Sequence, residues 1–150
     1  MAANTSVKLV LSSDTKLVDL VHAASESMAG VAGLEADEAL NLGLAVREAV
    51  INAILHGNGQ DPARQVTVTL TARWDKLVAR VSDQGGGFDP EQTPDPRNGA
   101  NLLRETGRGL LLMQAFVDSV RFRALPRGGT QVTMIKRIPT GSAGGGKRIS

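Results

Sequence analysis

The chain of 150 residues contains no cysteine and no tyrosine, and only three phenylalanines and one tryptophan, Trp74. Without cysteine there is no disulfide, no thiolate metal site and no cysteine nucleophile. Two histidines are too few for a histidine-rich metal cage. Scarce aromatics leave little to stack nucleobases on. No apolar run reaches the ~18 residues that a membrane span requires. The start lacks the basic stretch and apolar core of a secretory signal, so a cytoplasmic protein is expected. Charged content of 21% and hydrophobic content of 41% suit one globular domain, long enough to bury a core.

The formal net charge of +2 hides an asymmetry. Residues 97–150 hold ten Lys or Arg against two acids, Glu105 and Asp118, a net +8; residues 1–96 carry −6. A basic half suits nucleic acid, nucleotide phosphates or an acidic protein partner. With so few aromatics, nucleic acid is not the expected partner.

Periodicity predicts the order of elements. Ser6–Leu11 alternates as a strand. Asp14 caps a predicted helix to about Ala29, ended by Gly30 and Gly33. A second helix, about Ala36 to Leu55, stops at Gly57-Asn58-Gly59. Gln65–Arg73 and Lys76–Ser82 read as a hairpin turning at Trp74-Asp75. Residues 84–106, rich in Gly and Pro and without periodicity, form a loop long enough to suggest a lid. A helix over about Arg108 to Val117 precedes a hairpin of Ser119–Leu125 and Thr130–Ile138. From Pro139 the chain reads as a flexible tail, which leaves one domain over 1–138 and a tail over 139–150. The expected fold class is therefore α+β, a two-layer sandwich of a mixed or antiparallel sheet with helices on one face.

Three blocks could carry chemistry. On a wheel at ~100° per residue, Asn41, Glu48, Asn52 and His56 fall within an arc of roughly 80°, while apolar residues fill most of the rest of the second helix. A polar stripe on so apolar a helix needs partners. Glu48 and Asn52, one turn apart, suit a proton acceptor and a hydrated Mg²⁺. They fit equally a Glu48 bonded to neighbouring backbone and an Asn52 capping a loop. Asp83-Gln-Gly85-Gly-Gly87 follows an apolar strand. A carboxylate there can accept from an exocyclic amine such as that of adenine, with glycines admitting a ligand close to the backbone; it can also be a plain turn. Gly107-Arg108-Gly109-Leu110 opens a helix, where exposed N–H groups and a guanidinium suit phosphate.

Two decoys are set aside. Gly141-Ser-Ala-Gly-Gly-Gly146-Lys147 nearly spells a Walker loop, but Arg148 replaces the hydroxyl residue and no helix follows. His22 resembles a phosphoacceptor, yet no acidic neighbour is evident beside it in Leu20-Val-His-Ala-Ala, and an ordinary helical histidine is expected.

In this order the blocks resemble the GHKL ATP-binding superfamily, with its Bergerat-type fold, and within it the bacterial anti-sigma-factor serine/threonine kinases. Glu48 to Gly57 resembles the N box, Asp83 to Pro90 the first glycine box, Gly107 to Met113 the second, and Gly129-Thr130 the adenine-supporting threonine. The resemblance spans about residues 6–138. It implies ATP and Mg²⁺ as cofactors, Glu48 as general base, and Asn52 as metal ligand. It implies nucleotide contacts at Asn52, His56, Asp83, Gly85, Gly87, Phe88, Gly107, Arg108, Gly109, Leu110 and Thr130, under a lid of residues 88–106. Thr106 stands where the family often has glycine. The implied activity is phosphorylation of a serine or threonine on an anti-sigma-factor antagonist, with a sigma factor as second partner; a homodimer is compatible with this. The rival is a non-catalytic ATP-binding regulatory module, and Glu48 favours the kinase because sensing needs no base.

Overall fold

The computed structural model describes residues 4–85 and 109–139. Gly87, Phe88, Gly107, Arg108, the whole of the expected lid, residues 88–106, and the tail from residue 140 lie outside them. Five strands are present among the described residues: β1 (Thr5–Ser12), β2 (Gln65–Ala72), β3 (Lys76–Ser82), β4 (Ser119–Ala124) and β5 (Thr130–Arg137). They form one sheet in the order β1-β2-β3-β5-β4, and every neighbouring pair is antiparallel. The final hairpin is thus inserted with its second strand against β3.

Alternation along β2 explains why the sheet has one wet and one dry face. Val66, Val68, Leu70 and Ala72 are buried, while the threonines between them are half-buried. Register places Val68 opposite Val81 and Leu70 opposite Ala79, and Ala79 in turn opposite Met134. The dry face therefore runs continuously across the three central strands.

Helices α1 (Val18–Ala32) and α2 (Ala36–Asn52) cover that face and pack on each other. In α1, Val18, Val21, Ser25, Met28 and Ala29 are buried, a helical stripe whose only hydroxyl is satisfied by the Val21 carbonyl at 2.8 Å. Asp14 does cap, but it caps a short 3₁₀ turn, Thr15–Leu17, from which α1 continues. Gly33, not Gly30, ends α1, since its φ of +99° lies in the left-handed region a helix terminator needs. In α2, Leu42, Val46 and Val50 are fully buried, whereas Leu40 is 44% exposed, so α2 is less completely enclosed than its composition suggests. Truncating a fully buried leucine such as Leu42 to alanine costs about 2–5 kcal/mol.

The two helices approach closely at Gly43. A Cβ there would sit 2.7 Å from the His22 ring, and His22 Nε2 lies 3.4 Å from Glu26 Oε1. His22 thus has an acidic neighbour after all, one turn along, and its ring packs between helices as a structural histidine does. A third helix, α3, covers residues 109–116 and contributes the buried Met113 to the core. Among the described residues no helix is long and apolar enough to cross a membrane.

Candidate functional site

The expected second helix changes character where its polar residues matter. After Asn52 the backbone widens into a π turn, Ala53–Gly57, in which the Asn58 N–H donates to the Ala53 carbonyl at 2.7 Å. A single π turn in an α-helix commonly marks a functional site. Here it breaks the wheel on which His56 shared an arc with Asn52 and Glu48, and His56 is exposed. It also carries Gly57 to the end of β3.

There Gly57 meets Asp83. A Cβ on Gly57 would overlap the Asp83 carboxyl, and one on Gly85 would overlap the Gly57 carbonyl. Gly129, with φ +97°, passes as closely to the Asp83 carbonyl. Three glycines from three segments therefore close around one aspartate. Gly85, read from sequence as an opening for a ligand, here admits the protein's own backbone.

Asp83 is held from two sides. Its backbone N–H donates to the Thr130 carbonyl at 3.0 Å, and its Oδ1 accepts from the Thr130 N–H at 3.1 Å and the Gly85 N–H at 3.0 Å. The side chain is buried, with 6% exposure. Burial raises its pKa above the ordinary 3.8, partly offset by those two N–H groups and by the charge of Arg64. Oδ2 lies against Gly57 and accepts no hydrogen bond among the described residues.

Asn58 is the residue that the sequence concealed. Read only as part of a helix stop, it is 1% exposed and fully engaged. Its Nδ2 donates to Ser13 Oγ at 2.9 Å and to the Gln65 carbonyl at 3.0 Å, and its Oδ1 accepts from the Gln84 N–H at 2.7 Å. Gln84 Oε1 in turn accepts from the Gln65 N–H at 2.7 Å. One amide thus ties the residue after Asp83 to the β1 and β2 ends. The available signal was an asparagine between two glycines, where a turn former is expected and a buried hub is not.

The other end of the site lies on α2. Glu48 and Asn52 are half-buried, and Gly109, buried in α3, faces Glu48: a Cβ there would come 2.7 Å from Glu48 Oε2. Leu110 follows, half-buried. The structure therefore brings Glu48 to Gly109, and Asp83 to Gly57, Gly85 and Thr130. Among the described residues no group of three His, Cys, Asp or Glu could hold a metal. An amide oxygen at Asn52 beside a carboxylate at Glu48 fits Mg²⁺ instead, which takes few protein ligands and completes its shell with phosphate oxygens and water.

Comparison with known proteins agrees with this geometry. The histidine kinase-like ATPase domain matches residues 11–136. The serine-protein kinase RsbW of Bacillus subtilis is 28% identical over 138 residues, covering 88% of this chain and 85% of that protein. RsbW of Listeria monocytogenes is 30% identical over 121 residues, 77% of each. The anti-sigma F factor of Oceanobacillus iheyensis is 30% identical over 104 residues, 68% of this chain and 71% of that protein.

Proposed function

The chain belongs to the histidine kinase-like ATPase domain family, and on that premise we propose that it is an ATP- and Mg²⁺-dependent serine/threonine protein kinase. Its substrate in this reading is an anti-sigma-factor antagonist, and it also holds a sigma factor. The names of its relatives, serine-protein kinase and anti-sigma factor, support the two halves of that reading. The cytoplasm is the compartment it implies.

The observation that carries it is the Asp83 cradle. Backbone N–H groups fix Oδ1, so Oδ2 keeps its aim and accepts no hydrogen bond among the described residues. An adenine amine would complete it, and thymine or uracil, which have no exocyclic amine, would not. Thr130 is the second wall of the same cradle, and in this reading Gly109 and Leu110 would line the phosphate path. His56, Gly87, Phe88, Gly107 and Arg108 complete the nucleotide contacts in this reading.

At the other end Asn52 would hold Mg²⁺, which neutralises the charge of the phosphates. Glu48, beside it, accepts the proton of the incoming hydroxyl as its oxygen bonds to the γ-phosphorus and the bond to ADP breaks. The test is transfer of label from γ-labelled ATP to a candidate antagonist, with ATP affinity measured separately. ATP binding with no transfer to any antagonist would leave the regulatory module instead. Absence of ATP binding would remove both readings.

A further inference from the structure

None of the five strands contains an aspartate or glutamate. The sheet face turned away from the helices collects cations instead. Register aligns Lys8, Thr69, Arg80, Thr133 and Arg121 in one row across all five strands. The cations stand on alternate strands, so neighbouring ones start about 9.5 Å apart. All three are exposed. Arg123 lies on the same face of β4, and Lys76 pairs with Arg137 further along. The adjacent row holds half-buried Ile135 beside Val78, which is buried, and exposed Val10 lies on the other side.

We propose that this open face is a docking surface for an acidic protein segment, one that carries aliphatic side chains among its carboxylates. Cations on β1 and β4 alone would be explained by edge protection against stray strand pairing. Arg80 is not, because β3 is the central strand. Nucleic acid fits less well, since no aromatic side chain lies on this face within the strands to receive a base. A second copy fits less well too. Face to face it would oppose like charges, and three acids on the helix side are already engaged: Asp19 with Arg47, Glu26 with His22, and Glu38 with Lys136. A basic row flanked by half-buried Ile135 on one side and exposed Val10 on the other is complementary to carboxylates spaced by aliphatic residues. The proposal does not rest on the nucleotide reading, since this face lies across the sheet from α2 and Glu48.

The test uses the full chain and a fluorescein-labelled acidic peptide repeating Glu-Leu-Glu-Ala, followed by fluorescence anisotropy. Binding is expected, weakening as salt rises. The combined variant Lys8→Ser, Arg80→Ser, Arg121→Ser should bind about tenfold more weakly, as expected for loss of three exposed charge pairs. Arg80→Lys with Arg121→Lys should retain binding to within about threefold. Unchanged circular dichroism and thermal midpoint establish that the variants are folded. The proposal is overturned if the peptide does not bind, or if the serine variant binds it as well as the parent. Tighter binding of an oligothymidylate, or self-association abolished by the serine substitutions, would equally overturn it.

Discussion

The two ends of the site are built to different standards. At the Asp83 end, nearly every polar group has a fixed partner: two N–H groups on Oδ1, a main-chain pair with Thr130, and the Asn58 amide holding Gln84. At the Glu48 end the side chains are half-buried, and the close approach on record is that of Gly109. Recognition of a base needs a rigid acceptor, because selectivity is lost if the acceptor can turn to suit another ring. Phosphoryl transfer needs groups that tighten only when phosphates, metal and hydroxyl have arrived. On the proposed function, the contrast means that the base reader is set up in advance and the chemistry is completed on binding.

Substitution at Glu48 should give the largest effect and cut the two ends apart. Glu48→Gln keeps shape while removing the base, so phosphorylation of an antagonist should fall about 10²–10⁴-fold with near-normal Mg·ATP affinity. Single-turnover transfer and calorimetry would check it. A loss of ATP affinity equal to the loss of rate would erase the distinction between the ends. At the reader end, Asp83→Asn should weaken ATP binding by about 1.5–3 kcal/mol, as for a hydrogen bond to a charged group. Unchanged affinity in a folded variant would remove the adenine-reader role.

Gly85→Ala tests rigidity rather than charge. The added Cβ would overlap the Gly57 carbonyl, which is backbone and yields only if a segment moves. Overpacking of this kind costs about 1–3 kcal/mol, expected in both urea denaturation and nucleotide affinity. Asn58→Ala leaves the Gln84 N–H and the Gln65 carbonyl without their buried partner. A cost of about 1–3 kcal/mol in stability is expected, with ATP affinity falling more than after Asp37→Ala in the exposed first turn of α2.

The smallest effect concerns pH. Because the folded pKa of Asp83 is raised, its contribution to stability is fully present below 3.8 and is lost as pH rises through the folded value. Denaturant midpoints should therefore show parent and Asp83→Asn converging less at neutral pH than at acid pH. ATP affinity should run the other way, declining on acidification at a pH above 3.8, as Asp83 takes up its proton. A decline only below 3.8 would contradict the raised value.

Much of this was legible beforehand, for reasons that name their own limits. Period-two alternation in Val66, Val68 and Leu70, and again in Leu77, Ala79 and Val81, is a local property of a half-buried strand, so β2 and β3 were placed within a residue of their bounds. The α+β class followed from the order of elements. The position of β5 between β3 and β4 did not, because strand order is decided by pairing between segments far apart in the chain. The π turn is invisible to any helical wheel: Ala53–Gly57 departs from α geometry where Gly57 must reach Asp83, twenty-six residues away in sequence. Asn58 was hidden for the same reason. Its residue type announces a turn, and only the arrival of Ser13, Gln65 and Gln84 makes it a hub.

The main-chain pair between Asp83 and Thr130 also sets a timetable for biosynthesis. As the chain leaves the ribosome, α1, α2 and the β2–β3 hairpin can assemble with their own neighbours, yet Asp83 has no Thr130 to hold its Oδ1. The proposed reader would therefore be finished by one of the last strands to emerge. A truncated or stalled product ending before Thr130 would keep most of the core and be blind to nucleotide. Completion of translation and competence to bind ATP would coincide, with bound nucleotide then favouring the finished molecule over its unfolded forms.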